Sequence, residues 1–229
     1  MKLISKHTNV GLTLMALALL SISTELSGQN ESVNPYPQLL FPGFTRSVLK
    51  MKSGKINSAM LNYNTVDEEM VFYQKGVYMV LDKPGEIDTV YLQNRKFVPV
   101  EKAFYEVAVI GPVSIYIQHK SRYAPVGNNT AYGLKSQTLG PTRVLTAQSG
   151  NQIRSIELPE NVTVSPATVY WVRRNNEMHK FTTERQFLKI FPEKENEIKE
   201  FIKNSKLNLK SREDLIKLGN FCNELVKQI

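Results

Sequence analysis

From Thr45 to Gln118 the chain repeats one simple unit, a short run of strand-forming residues followed by a turn. Thr45 to Met51 ends at Lys52-Ser53-Gly54-Lys55. Ser58 to Asn64 alternates, with Met60 and Asn62 on one side and Leu61 and Tyr63 on the other. Glu69 to Tyr73 and Val77 to Leu81 flank Lys75-Gly76, and Asp82-Lys83-Pro84-Gly85 follows. Thr89 to Leu92 and Lys96 to Val100 flank Gln93-Asn94-Arg95, and Phe104 to Ile110 and Val113 to Gln118 flank Gly111-Pro112. Runs this short, recurring every ten residues or so with turn chemistry between them, predict an antiparallel meander, sandwich or small barrel. Strand character returns at Thr168 to Arg173, pairing across Asn175-Asn176 with Met178 to Phe181.

Two segments depart from this pattern. From Tyr123 to Thr163, Pro125, Gly127, Gly133, Gly140, Pro141 and Gly150 interrupt any regular element, which predicts a long excursion from the sheet. After Thr182 the apolar spacing changes from two to between three and four. Phe187, Leu188 and Phe191 share one helical face, and Ile198, Phe201 and Ile202 form a stripe after Pro192. Leu215, Leu218, Cys222, Leu225 and Ile229 form another, with Ser211 as cap and Asp214 as the acid of its first turn. The expected class is mainly β with a C-terminal helical segment, α+β overall, with a β-rich domain over 29–181 and helices over 182–229 packed on it.

The first 28 residues read as a secretory leader. Lys2 and Lys6 precede an apolar stretch from Val10 to Ile22, which passes into Ser23, Thr24, Ser27 and Gly28. That stretch is shorter than the roughly 20 residues a membrane-spanning helix needs. Cleavage is expected near Gly28–Gln29, with Ser23–Thr24 as the alternative site and a retained anchor as the alternative outcome. No later apolar run is long enough to span a membrane, and Cys222, the one cysteine, cannot form an internal disulfide. The expected location is the periplasm or the cell surface.

The leader motif, Lys52-Ser53-Gly54-Lys55, Leu61-Asn62-Tyr63-Asn64, Asp67-Glu68-Glu69-Met70, Asp88-Thr89-Val90, Phe97-Val98-Pro99-Val100 and Tyr105-Glu106-Val107 follow one another, with Ala131-Tyr132-Gly133 and Phe191-Pro192-Glu193-Lys194 later. This order resembles a group of uncharacterised exported proteins of Gram-negative bacteria. The resemblance covers most of the chain after the leader. It implies export and the strand-and-turn architecture, and it carries no activity, ligand or catalytic residue.

The charge distribution is uneven. The full chain has 29 basic and 21 acidic residues, a net charge of +8, and loss of the leader leaves +7. Val107 to Ile156 contains no Asp or Glu, yet holds Lys120, Arg122, Lys135, Arg143 and Arg154. Within it Tyr116, His119, Arg122, Tyr123, Tyr132, Lys135 and Arg143 mix aromatic rings with cations. Aromatic faces stack on sugars or bases and guanidinium forks grip anions. Arg122, Tyr123, Tyr132, Lys135 and Arg143 are therefore the candidate binding residues, and Tyr116, at an alternating strand position, reads as core. An export signal argues against nucleic acid and for an envelope protein or an anionic envelope polymer.

Catalytic signatures are weak. His119 and His179 lie in no HExxH or HxH spacing, and no Gly-x-Ser-x-Gly elbow or glycine-rich phosphate loop is present. His119, at a strand end, is expected to face solvent. Asp67-Glu68-Glu69 reads as an acidic turn, and Cys222 as a small buried hydrophobe. No catalytic residue, metal ligand or cofactor site is expected. The function anticipated is a non-enzymatic envelope protein that binds or scaffolds a partner. The alternative is a hydrolase of surface glycan or peptide.

Overall fold

The computed structural model describes residues 36–74, 77–125, 128–129, 135–136, 158 and 162–227. The expected leader over 1–28, Tyr132, Arg143 and Ile229 lie outside the described residues. The fold is α+β and mainly β. Its main sheet has ten antiparallel strands: β1 (Thr45–Met51), β2 (Ile56–Asn64), β3 (Glu69–Gln74), β4 (Val77–Val80), β5 (Ile87–Leu92), β6 (Arg95–Val100), β7 (Ala103–Val109), β8 (Ser114–Gln118), β13 (Val169–Arg174) and β14 (Glu177–Phe181). Between β8 and β13 lie β9 (Ser121–Pro125), β10 (Asn128–Asn129), β11 (Lys135–Ser136) and β12 (Val162–Pro166). The spatial order is β14-β13-β8-β7-β6-β5-β1-β2-β3-β4. β1–β4 and β5–β8 are thus two meanders, and the chain returns from the β4 edge through a 3₁₀ turn at Pro84–Glu86 to place β5 beside β1. The hairpins β5–β6 and β13–β14 turn on Gln93-Asn94 and Asn175-Asn176, both residues of each pair lying in the left-handed region. Such two-residue turns match the right-handed twist of the strands they join.

A twisted sheet of this many strands curls, and here β3 comes back against β7. The enclosed side is filled by Leu49, Leu61, Tyr63, Met70, Val90, Leu92, Phe97 and Phe104. Tyr63 stacks on Phe97 with centroids 5.8 Å apart. The expected alternation fails at the end of β2, where Leu61 to Asn64 are all buried. The proline-rich segment 36–43 lies across the outer side of the strand at that point. Asn62 replaces a backbone partner for it, accepting from Phe41 N (3.2 Å) and donating to Phe41 O (2.9 Å) and Gly43 O (3.0 Å).

The helical tail builds a second core. It consists of α1 (Glu184–Leu188), a 3₁₀ turn at Pro192–Lys194, α2 (Glu195–Asn204) and α3 (Arg212–Lys227). Phe187, Leu188, Phe191, Ile198, Ile202, Leu215, Leu218, Cys222 and Leu225 pack with Val109, Ile115, Ile117, Tyr170, Val172 and Phe181 of the sheet. The anticipated stripes therefore do cover the sheet, and burial pushes the Cys222 thiol up to about 12. Ser211 caps α3 by accepting from Asp214 N (3.4 Å), whereas the Asp214 carboxylate turns to Asn208 N (3.0 Å). Two contacts set how closely α3 lies on the sheet. A Cβ at Gly219 would sit 2.8 Å from Val109 Cγ2, and one at Gly111 would sit 2.5 Å from Asn223 Oδ1. Asn223 accepts from Val113 N (2.8 Å) and donates to Val113 O (2.9 Å), pairing α3 with the β7–β8 turn.

Candidate functional site

Two charged constellations stand out, one buried and one open. The buried one centres on Glu106 of β7, whose side chain is 0% exposed. A bulge between Val107 and Val109 shifts the register of β7, so Phe104 and Glu106 face the first core while Val109 faces the helices. Glu106 thus sits where the two cores meet. Its Oε2 accepts from Arg95 Nη1 at 3.3 Å and lies 2.6 Å from His119 Nε2, and its Oε1 accepts from Arg212 Nε at the start of α3. Burial opposes ionisation of Glu106. The hydrogen bonds from His119 and Arg212, with the charges of His119 and Arg95, outweigh it and hold the carboxyl below the usual range.

His119 is therefore not the solvent-facing residue expected at a strand end. Its side chain is 13% exposed, and its ring lies against Tyr63 and Phe97. The physical reason is the partner: Glu106 is thirteen residues away in sequence and adjacent only once β7 and β8 pair. The acidic cluster does form the turn between β2 and β3, as expected, and Glu68 has partners within the fold. Glu68 is buried, with a backbone in the left-handed region, and accepts from Gln118 Nε2 and Lys120 Nζ. Lys120 is consequently engaged within the fold.

The anticipated binding residues are only partly described. Arg122 and Tyr123 are exposed on β9, opposite Ser165 and Val164 of β12. Consecutive strand residues point to opposite faces, so these two do not share one surface. Lys135 lies in β11, and its side chain is outside the described residues, as are Tyr132 and Arg143. Among the described residues, no group of three or more His, Cys, Asp or Glu is placed to hold a metal ion.

The open constellation is one the sequence reading missed. Directly paired residues of an antiparallel sheet share a face. The register links Val48 to Tyr91, Tyr91 to Lys96, Lys96 to Val107, Val107 to Tyr116, Tyr116 to Trp171 and Trp171 to Lys180. These seven residues form one row on the side of the sheet away from both cores. Two positions along β7 and β13, the same face carries Tyr105, stacked on Trp171 at 6.0 Å, and Arg173, whose guanidinium lies 5.8 Å from the Tyr116 ring centre. Trp171 Nε1 donates to Gln118 Oε1 at 3.0 Å. The floor of the row, Tyr105, Val107 and Tyr116, is buried, whereas Tyr91 is 46% exposed and Arg173 and Lys180 are exposed.

Cations predominate on this face, with Glu68 and Glu101 near Tyr105 and Asp88 near Lys96 at its margins. Arg46, Lys96, Arg173 and Lys180 form no ion pair among the described residues. Of the acids of these strands, Glu106 is inside, Glu177 lies opposite Arg174 in the register on the helix side, and Asp88, half exposed, is paired with Lys50 at 3.3 Å and lies within reach of the Lys96 charge. No family model, curated protein or solved structure matches the chain. The functional reading therefore rests on this geometry and on the sequence.

Proposed function

We propose that the chain is an exported envelope protein that works by binding a partner through the outer face of its β-sheet. The observation that carries this reading is the row from Tyr91 to Lys180, where aromatic and cationic side chains share one face. Binding surfaces favour such residues because rings give large contact area and cations give attraction over several ångströms. The export half of the reading rests on Lys2, Lys6 and the Val10–Ile22 stretch, together with the resemblance to exported Gram-negative proteins. Among the described residues, no helix is long and apolar enough to cross a membrane.

Binding is favoured over hydrolysis by what the buried carboxylates do. A glycosidase or peptidase needs an acid or imidazole free to move a proton on a substrate. Glu106 is occupied by two guanidinium groups and an imidazole, and Glu68 by an amide and an ammonium. The test is made in the native host. Mass spectrometry of the envelope fraction is expected to find a mature N-terminus near Gln29, and crosslinking in intact cells is expected to recover a discrete envelope partner. Recovery of intact Met1 from that fraction would contradict cleavage. A crosslinked chain that brings down nothing would contradict binding.

A further inference from the structure

The outer row has a geometry that narrows the kind of partner, on the footing that the chain binds one there. Its residues come one from each neighbouring strand, so they run across the strands and not along one of them. From Tyr91 on β5 to Lys180 on β14 there are five inter-strand steps, about 24 Å at the usual strand spacing. Along that line the chemistry alternates: a ring at Tyr91, a cation at Lys96, apolar floor at Val107 and Tyr116, a ring at Trp171, a cation at Lys180, with Arg173 alongside. A lipid surface fits poorly. The apolar residues here form a buried floor and do not project, so they cannot insert between acyl chains. A ligand that meets this row must be long, narrow and negatively charged, with repeating flat faces that lie on rings.

We propose that this face binds an acidic polysaccharide laid across strands β5 to β14. Sugar rings stack on Tyr91 and Trp171, and the chain's carboxylate or phosphate groups meet Lys96, Arg173 and Lys180. Gln118, which accepts from Trp171 Nε1, fixes the indole so that its ring edge cannot turn away. Trp171 is the only tryptophan in the chain, so binding is readable without a label.

The experiment titrates the exported chain with tetragalacturonate while following tryptophan fluorescence, and repeats the titration by calorimetry. Cellotetraose is the uncharged control, and an eight-residue thymidine oligonucleotide is the non-sugar polyanion with stacking bases. The expected result is saturable binding of tetragalacturonate with a fluorescence change, weakened by salt because the groups concerned are exposed. The triple variant Lys96→Ala, Arg173→Ala, Lys180→Ala should bind about tenfold more weakly or worse, and Tyr91→Ala should also weaken binding. The triple variant should melt close to the parent temperature, since surface charges contribute little to stability, and so should Tyr91→Ala, because Tyr91, 46% exposed, leaves little buried area to lose. Absence of tetragalacturonate binding, unchanged affinity in the triple variant, or equal binding of cellotetraose or of the oligonucleotide would each overturn the proposal. In-cell crosslinking to an envelope protein with no tetragalacturonate binding would overturn the polysaccharide assignment while leaving the broader binding role standing.

Discussion

Glu106 gives a quantitative handle on how the tail is joined to the sheet. The carboxylate is fully buried and its three partners come from β6, the end of β8 and the start of α3. Glu106→Gln keeps the shape and removes the charge, which leaves Arg95 and Arg212 facing each other with no counter-charge. Breaking a buried pair in this way costs about 3–5 kcal/mol. Arg212→Gln is milder, because Glu106 keeps Arg95 and His119. The loss of one hydrogen bond to a charged group costs about 1.5–3 kcal/mol. The two changes remove the same contact, so the double variant should fall short of the sum by about 1–2 kcal/mol. In a domain of this size a loss of about 3 kcal/mol lowers the melting temperature by roughly 6–12 °C. Urea titrations of the parent, both single variants and the double variant, at pH 7 and moderate salt, supply all four corners of the cycle. A cost under about 1 kcal/mol for Glu106→Gln, or additivity within about 0.5 kcal/mol, would refute the idea that this cluster joins the two cores.

Further outcomes follow from the same contacts. The Glu106 carboxyl is held below its ordinary value of about 4.3, so its stabilisation is complete above that pH and is lost as pH falls through the folded-state value. Urea midpoints measured between pH 5 and pH 2.5 should drop more steeply in the parent than in Glu106→Gln, and parallel curves would contradict the assignment. Gly219→Ala should destabilise despite a helix-propensity gain of about 1 kcal/mol, because the new methyl would meet Val109 Cγ2 at 2.8 Å on a stiff branched side chain. A raised melting temperature would show that α3 can lift without cost.

Much of the fold was legible because it is written locally. Asn175-Asn176 and Gln93-Asn94 mark hairpins through backbone preferences that act within four residues, and the Leu215, Leu218, Cys222, Leu225 stripe marks a covered helix face. The expected strand runs from Thr45 to Gln118 each became a strand with ends within a few residues. What was not legible depended on partners distant in sequence. The return of β5 to the far side of β1 is set by which edge closes the curl, and no turn residue encodes it. Alternation along β2 separated Asn62 from Leu61 and Tyr63 but could not show that the 36–43 segment covers it. His119 looked exposed because its partner Glu106 is reached only through β7–β8 pairing. The outer row was missed for a related reason. Tyr91, Lys96, Trp171 and Lys180 are scattered over ninety positions and become neighbours only through the register of six strands. Counting acids along the sequence pointed instead to Val107–Ile156, where Lys120 proves to be held by Glu68. One sequence-level signal for the row did exist: β1, β6, β8 and β13 contain no acid at all.

The central claim is that the outer sheet face is the working surface of an exported protein. Site-specific photo-crosslinking in intact cells tests it most directly. Benzoylphenylalanine is placed at Tyr91 on the outer face and, separately, at Lys199 on the exposed side of α2. The account predicts that the probe at 91 captures a discrete envelope component and that the probe at 199 does not. Capture from position 199 alone, or equal capture from both, would contradict it.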